Sequence, residues 1–304
     1  VHEERVRNIN APVNGVYPYG DHQVRLLTES TGFSRTNQLI LTPNLNYKKI
    51  FLFGFYGLSY GKDDYEGLPA DPNNLRAEWG PSTMADVRHR AIMGTNVPLP
   101  WGFSISPFMM ASSGAPYNIT TGRDVYGDGN TNQRPALVAG LDAGSCSGAN
   151  LIYASGYGCF NLNPAPGTSI GRNSGRGPAN FSVNLRMSRS WSFGGRREQD
   201  FNNLGPPGGG PPPGGGPPGG GGGAGGPGGG GPPPGLFGGA GSRRYMLQLS
   251  VSANNVLNHP NYATPSGDLS SPYFGQYRSL ASLGPGGTAS TYNRKIDVQL
   301  RFTF

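Results

Sequence analysis

The last ten residues constrain this chain most. In Lys295-Ile296-Asp297-Val298-Gln299-Leu300-Arg301-Phe302-Thr303-Phe304 every even position is apolar and every odd one polar. Alternation of period two describes a strand with one greasy and one wet face. A strand crossing a bilayer needs about 9–11 residues, and this segment has that length. The expectation is a membrane strand with Ile296, Val298, Leu300, Phe302 and Phe304 toward lipid. Asp297, Gln299 and Arg301 then face a lumen. A strand of a soluble sandwich is the alternative, although such strands rarely run this long or end a chain on an aromatic residue.

The pattern recurs upstream. Tyr245, Leu247, Leu249, Val251 and Ala253 alternate with polar residues and Met246. Phe181, Val183, Leu185 and Met187 alternate with Ser182, Asn184, Arg186 and Ser188, and the segment closes with Trp191 and Phe193. Phe103, Ile105 and Met109 share a face, as do Leu39, Leu41 and Leu45 in a segment ending at Tyr47. Residues 50–60 are apolar on both faces. Residues 88–97 fit more weakly, and residues 1–9 read as the tail of one more strand. The sum is an all-β chain of about eight strands, read as an antiparallel transmembrane β-barrel segment. Aromatics near many strand ends suit the interfacial girdles of such barrels. No segment carries a helical 3.6 period.

Composition has to be read with that in mind. Hydrophobic residues make up 35% and charged ones 13% of 304 residues, while Gly (52) and Pro (29) dilute both figures. No run approaches the ~20 apolar residues of a membrane helix, but a barrel strand needs only every second residue apolar. The net charge of +7 is spread along the chain without a basic element interleaved with aromatics, so no nucleic-acid partner is expected. The chain opens on Val1-His2-Glu3-Glu4, without an initiator Met or an apolar leader, and an exported protein needs a leader. It therefore reads as a fragment.

The connections alternate in length. Residues 46–49 and 97–102 are tight turns, whereas residues 61–87, 112–180 and 255–293 are long polar loops. Counting back from a periplasmic Phe304 puts the long loops outside and the short turns inside. Residues 205–241 are almost pure Gly and Pro and fall on the inner side. They are too poor in apolar side chains to fold, so they read as a disordered linker loop, with peptide recognition by the proline runs as a lesser alternative. The chain thus divides into 1–204 (strands and external loops), 205–241 (linker) and 242–304 (the last two strands and their loop).

Few residues suggest chemistry. His2, His22, His89 and His259 have no paired spacing, and there is no nucleophile elbow or phosphate-binding loop, so no enzyme is expected. Asp124, Asp128, Asn130 and Asn132 sit among glycines and could wrap calcium. An EF-hand reading fails at Tyr126 and at Pro135, where a carboxylate belongs. The alternative is a tight Asx/Gly turn, and no other cofactor is expected. Cys146 and Cys159 lie in a Gly/Ser/Asn-rich stretch and suit a disulfide in an oxidising compartment, with two free thiols as the alternative. Asn118-Ile119-Thr120 matches a glycosylation acceptor that would be idle in a bacterial outer membrane, and it reads as the edge of a strand.

Several short segments together resemble the barrel of Oar-like TonB-dependent receptors. They are residues 7–12 (RNINAP), 86–90 (DVRHR), 106–108 (SPF), 113–122 (SGAPYNITTG), 175–178 (GRGP), 184–186 (NLR), 254–259 (NNVLNH) and the closing 301–304 (RFTF). The resemblance implies a barrel of about 22 strands closed by an N-terminal plug. It implies uptake or surface handling of bulky nutrients, energised by TonB. The plug, the TonB-contacting segment and an N-terminal regulatory-like β-domain are not found in this sequence. The expected partners are outer-membrane lipid, the barrel-assembly machinery, an unknown external ligand, and the TonB complex only through the missing N-terminal parts. Two other readings stand beside it: a structural or adhesive barrel of about eight strands, and a secreted Gly/Pro-rich β-protein. The sequence carries no readable code for the ligand.

Overall fold

The computed structural model describes residues 2–165, 167–196, 243–281 and 293–304. In chain order the strands are β1 (His2–Asn8), β2 (Leu26–Leu41), β3 (Asn44–Tyr47), β4 (Ile50–Asp63), β5 (Gly80–Pro81), β6 (His89–Pro98) and β7 (Phe103–Ser112). They continue as β8 (Pro116–Tyr117), β9 (Ala136–Val138), β10 (Leu151–Ala154), β11 (Gly158–Asn161), β12 (Gly175–Arg176), β13 (Asn180–Arg196), β14 (Arg243–Asn254) and β15 (Lys295–Thr303). Two short 3-10 turns, Leu75–Glu78 and Pro100–Gly102, are the only helical elements among the described residues.

One antiparallel sheet organises the chain. Its path is β1-β2-β4-β6-β7-β13-β14-β15, which bears out the eight strands expected. Every neighbour on this path is also the next long strand in sequence, the up-and-down order of a meander. Within the described residues β1 and β15 each have a strand on one side only, so the sheet is open.

The segment expected to run through Leu39 to Tyr47 is interrupted at Pro43, which has no N–H to give the ladder. The register nevertheless carries on across the break, from Leu41 opposite Tyr56 to Asn44 opposite Phe53. Gly54 fills the gap, donating its N–H to the Pro43 carbonyl at 2.9 Å. The strand also begins much earlier than the sequence suggests, at Leu26. A shift in the β1–β2 pairing between Glu3 and Arg5 breaks the alternation there.

The two tight turns fall as expected. Lys48 and Lys49 link Tyr47 to Ile50, and Lys48 takes a positive φ of 54°. Residues 99–102 link β6 to β7, with Trp101 and Gly102 at φ of 60° and 77°. The connection at 197–242, which contains the Gly/Pro segment 205–241, lies outside the described residues. The long loops gather at the opposite end. The stretch expected to be a plain loop from Ser112 to Asn180 contains five short strands. β9, β10 and β11 form a three-stranded sheet, and β8 pairs with β12.

The buried apolar cluster lies in the loops, not in the large sheet. Tyr117, Ile119, Ala154, Phe160, Leu162 and Leu269 make it up. The sheet instead leaves its large side chains open, Val298 at 68% and Leu300 at 67% exposure among them.

Candidate functional site

The strand register sorts side chains onto two faces. On one face Phe302 lies opposite Leu247 and then Trp191. Val298 lies opposite Val251, Met187 and Ile105, and Ile296 opposite Ala253 and Leu185. Phe304 follows β15 and packs on Phe302, ring centroids 6.1 Å apart. Tyr245, Phe193 and Phe302 stack with centroids 5.8–6.2 Å apart. This face is an apolar band, interrupted by Arg189 between Phe103 and Leu249, with an aromatic edge at the short-turn end.

The other face is polar over β13 to β15, while on β4, β6 and β7 it also carries Phe53, Phe55, Ile92, Phe108 and Met110. Arg301 lies opposite Gln248 and Ser190, and Gln299 opposite Ser250, Ser188 and Ser104. Asp297 lies opposite Ser252, Arg186 and Ser106. These side chains bond to one another. Asn254 donates to Asp297 at 3.2 Å, Arg186 to the Ser250 hydroxyl at 3.3 Å, and Ser106 to the Asn96 carbonyl at 3.0 Å. Ser182 and Ser250 on this face are buried. A cleft of about 310 Å³ opens on the same face, lined by Asn96, Ser106, Asn184 and Arg186 and by Phe53 and Phe108. Gly94 shapes it, because a Cβ there would meet the Phe53 ring at 2.5 Å.

Above the polar face the loops pack into one body. Cys146 and Cys159 are joined, with Cα atoms 5.7 Å apart. The joint ties the loop before β10 to β11. Ion pairs tie the loops to one another and to the sheet. Arg134 forks onto Glu78 at 2.8 and 3.0 Å with both side chains almost fully buried. Arg172 pairs with Asp63 at the end of β4, and Arg176 with Asp86. Arg5 on β1 reaches Asp64 at 3.1 Å. A cavity of about 470 Å³ opens between these parts, lined by Glu66, Thr83, Tyr117, Asn118, Arg172 and Thr264.

The Asp124 loop is a hub of this body. Both Asp124 oxygens accept backbone N–H groups, from Gly127, Asp128 and Gly129 at 2.7–3.0 Å. The Asp128 carboxylate accepts Asn130 N–H and the Gln133 amide, and Asn130 accepts the Asn132 N–H. The remaining side-chain groups reach outward. The Asn130 and Asn132 amides donate to the Pro69 and Leu68 carbonyls, and Asn8 donates to the Asp128 carbonyl. Burial, followed by the nearby Asp124 charge, pushes the Asp128 carboxyl up to about 6. Among the described residues no three His, Cys, Asp or Glu side chains are grouped to hold a metal. Asn118-Ile119-Thr120 follows β8, with Ile119 in the apolar core of the body, Asn118 and Thr120 half-buried, and Thr120 bridged to Asp268.

The segments that carried the family resemblance prove to be joints between elements. Pro116 and Tyr117 pair with Arg176 and Gly175, and Asp86 holds Arg176. The Asn184 carbonyl accepts Asn255 N–H at 2.9 Å. Asn10 is fully buried and donates to Asp21 and Gln23. Sequence reasoning did not find the buried arginines Arg134 and Arg172. Their partners lie 56 and 109 residues away, so no local pattern marks them.

A wide antiparallel meander whose last three strands carry one apolar and one polar face suits the wall of a membrane β-barrel, since a sheet can meet lipid only with its backbone paired. Residues 52–202, which run from β4 past the end of β13, match a family model described as an outer membrane beta barrel domain. No curated protein and no solved structure matches the chain. The chain contains an outer-membrane β-barrel domain, and its place is the bacterial outer membrane.

Proposed function

We propose that this chain forms the barrel wall and ligand-facing loops of a TonB-dependent receptor of the Oar-like kind, which binds and imports bulky nutrients. Uptake would need a plug and a TonB-contacting segment besides the residues described here. The observation that carries the reading is the open sheet. A closed eight-stranded barrel would pair β1 with β15, whereas among the described residues both keep an unpaired outer edge. Unpaired strand edges are not tolerated in lipid, so the arrangement suits a wall within a wider barrel better than a small structural or adhesive one. The folded loop body supports the same reading. A rigid body above a polar wall presents fixed cavities to a ligand arriving from outside.

In this reading the loops face the cell exterior and the turns at 48–49 and 99–102 face the periplasm. The test is labelling of a lumenal cysteine, Gln299→Cys, in whole cells with a membrane-impermeant maleimide. A gated receptor labels in energised cells and loses the signal when TonB is deleted. Labelling that ignores TonB would argue for an ungated structural barrel.

A further inference from the structure

Arg189 is out of place on its face. In register it lies opposite Phe103 on one side and Leu249 on the other, with Leu300 beyond. Its neighbours two residues away on the same face are Met187 and Trp191. It therefore belongs to the apolar, lipid-facing band. Its guanidinium carbon sits 4.8 Å from the Phe103 ring centroid and 4.8 Å from that of Trp191. Among the described residues no carboxylate pairs with it and no oxygen accepts from it, and its Nε is buried without a partner.

A guanidinium carries five N–H donors in one plane. Two aromatic neighbours stabilise the cation through their rings but accept none of those in-plane bonds. An uncompensated charge on the lipid side is costly at mid-membrane and tolerable only near an interface. The position agrees. Arg189 is level with the short turn 99–102, where Leu99 N–H bonds the Phe103 carbonyl at 2.8 Å and Trp101 stands 84% exposed. Trp191, Phe193, Tyr245 and Phe302 continue the aromatic edge toward the strand ends. The same end carries Lys48 over Tyr47, 5.2 Å from its centroid. The acceptor that meets a planar cation at such a depth is a phosphate, which guanidinium binds through two parallel bonds.

We infer that Arg189, framed by Phe103 and Trp191, is a binding site for the phosphate of a phospholipid in the periplasmic leaflet. Its apolar neighbours, Met187 and Leu249, would carry the acyl chains. The inference rests on the membrane assignment of the apolar face and on the proposed periplasmic placement of the short turns, and not on TonB dependence.

The test uses the protein extracted from outer membranes in mild detergent. Native mass spectrometry reads bound lipid after addition of equal amounts of dioleoyl-phosphatidylglycerol and dioleoylglycerol, which differ by the phosphate headgroup. The wild type should retain the phospholipid at least fivefold over the diacylglycerol. Arg189→Gln should bring that ratio below twofold, Arg189→Lys should restore part of it, and the lumenal control Arg301→Gln should leave it unchanged. A wild-type ratio near one overturns the site even if Arg189→Gln fails to fold. So does an Arg189→Gln protein that keeps the preference. Displacement of the phospholipid by millimolar inorganic phosphate would make it a free-anion site and also overturn the proposal. Retention of neither lipid would instead sink the assignment of the apolar face to the membrane.

Discussion

The wall and the loop body of this protein are built on opposite principles. The wall has regular backbone pairing and almost no core of its own. Its large apolar side chains stand exposed on one face, and the ion pair of its last strand is solvated, with the Lys295 and Asp297 side chains 60% and 45% exposed. The loop body has little regular structure but a true interior. It buries Leu162, Phe160 and Ile119, and with them Arg134, Arg172, Gln133 and Asn10. The wall leaves hydrophobic burial to the lipid. The body must pair its buried charges internally, as Arg134 and Arg172 are paired with Glu78 and Asp63, because an unpaired buried charge costs several kcal/mol. Loss of one charge should therefore be severe in the body and slight in the wall.

Glu78→Ala is the largest expected effect. It strands the Arg134 guanidinium in a site where both side chains are at most 4% exposed. The cost should be about 3–5 kcal/mol, read as protease sensitivity of the loop body at lower urea. Changing Glu78 and Arg134 together to Met and Leu should recover most of the loss. Lys295→Ala, which opens an exposed pair, should cost no more than about 1 kcal/mol. Similar penalties for Glu78→Ala and Lys295→Ala would erase the contrast between the two regions.

The wall has its own sensitive direction, which is side-chain polarity on the lipid face. Val298→Arg should cost roughly 2–4 kcal/mol if it lies near mid-membrane, and Gln299→Arg little. Unfolding in lipid vesicles, followed by the gel shift of heated against unheated samples, reads both. Equal costs at the two positions would reverse or abolish the assignment of faces.

What could be read in the sequence follows the same division. β13, β14 and β15 were legible because one face meets a uniform apolar solvent, which imposes period two on every strand. The first part of β2, Leu26 to Arg35, was not, since the pairing shift beside Glu3 and Arg5 breaks the alternation. The loop body was hidden for a different reason. β8 and β12 have two residues each, too few to show a period. Its core residues Ile119, Phe160, Leu162 and Leu269 come from distant stretches at irregular spacing. The Asp124 cluster was visible as a group of oxygens, but its bonding to Leu68, Pro69 and Asn8 was not.

That cluster gives a smaller and pH-dependent prediction. Asp128 is 5% exposed, and its carboxyl is raised from the ordinary 3.8 to about 6, first by burial. Below 3.8 the group is protonated whether the body is folded or not. As pH rises from 3.8 to about 6 the unfolded chain gives up its proton first, so stability falls across that window and stays low above it. The loop body should thus melt later at pH 4 than at pH 7.5 by an amount worth about 2 kcal/mol. Asp128→Asn keeps an acceptor for Gln133 and for Asn130 N–H but has no charge to bury. It should be more stable than the wild type at pH 7.5 and should flatten this part of the profile. A wild-type body whose melting rises with pH between 4 and 6, with Asp128→Asn changing nothing, would count against the raised carboxyl.

The smallest expected effect concerns calcium at the same loop. A bound cation could relieve the buried charge as protonation does, so the two must be separated. Calcium takes six to eight oxygen ligands. In the described loop the oxygens of Asp124 already accept three backbone N–H groups. One Asp128 oxygen accepts two donors, and the Asn130 carbonyl accepts Asn132 N–H. An entering ion would have to displace these bonds, and with them the contacts that hold the loop to Leu68 and Pro69. Millimolar calcium at pH 7.5 should therefore shift the melting of the loop body by less than about 1 °C, since near-zero net binding energy moves the midpoint little. A larger upward shift in the wild type, absent in Asp128→Asn and in the magnesium control, would show that the loop rearranges into a cation site. It would also mean that the pH dependence has to be remeasured with the metal removed.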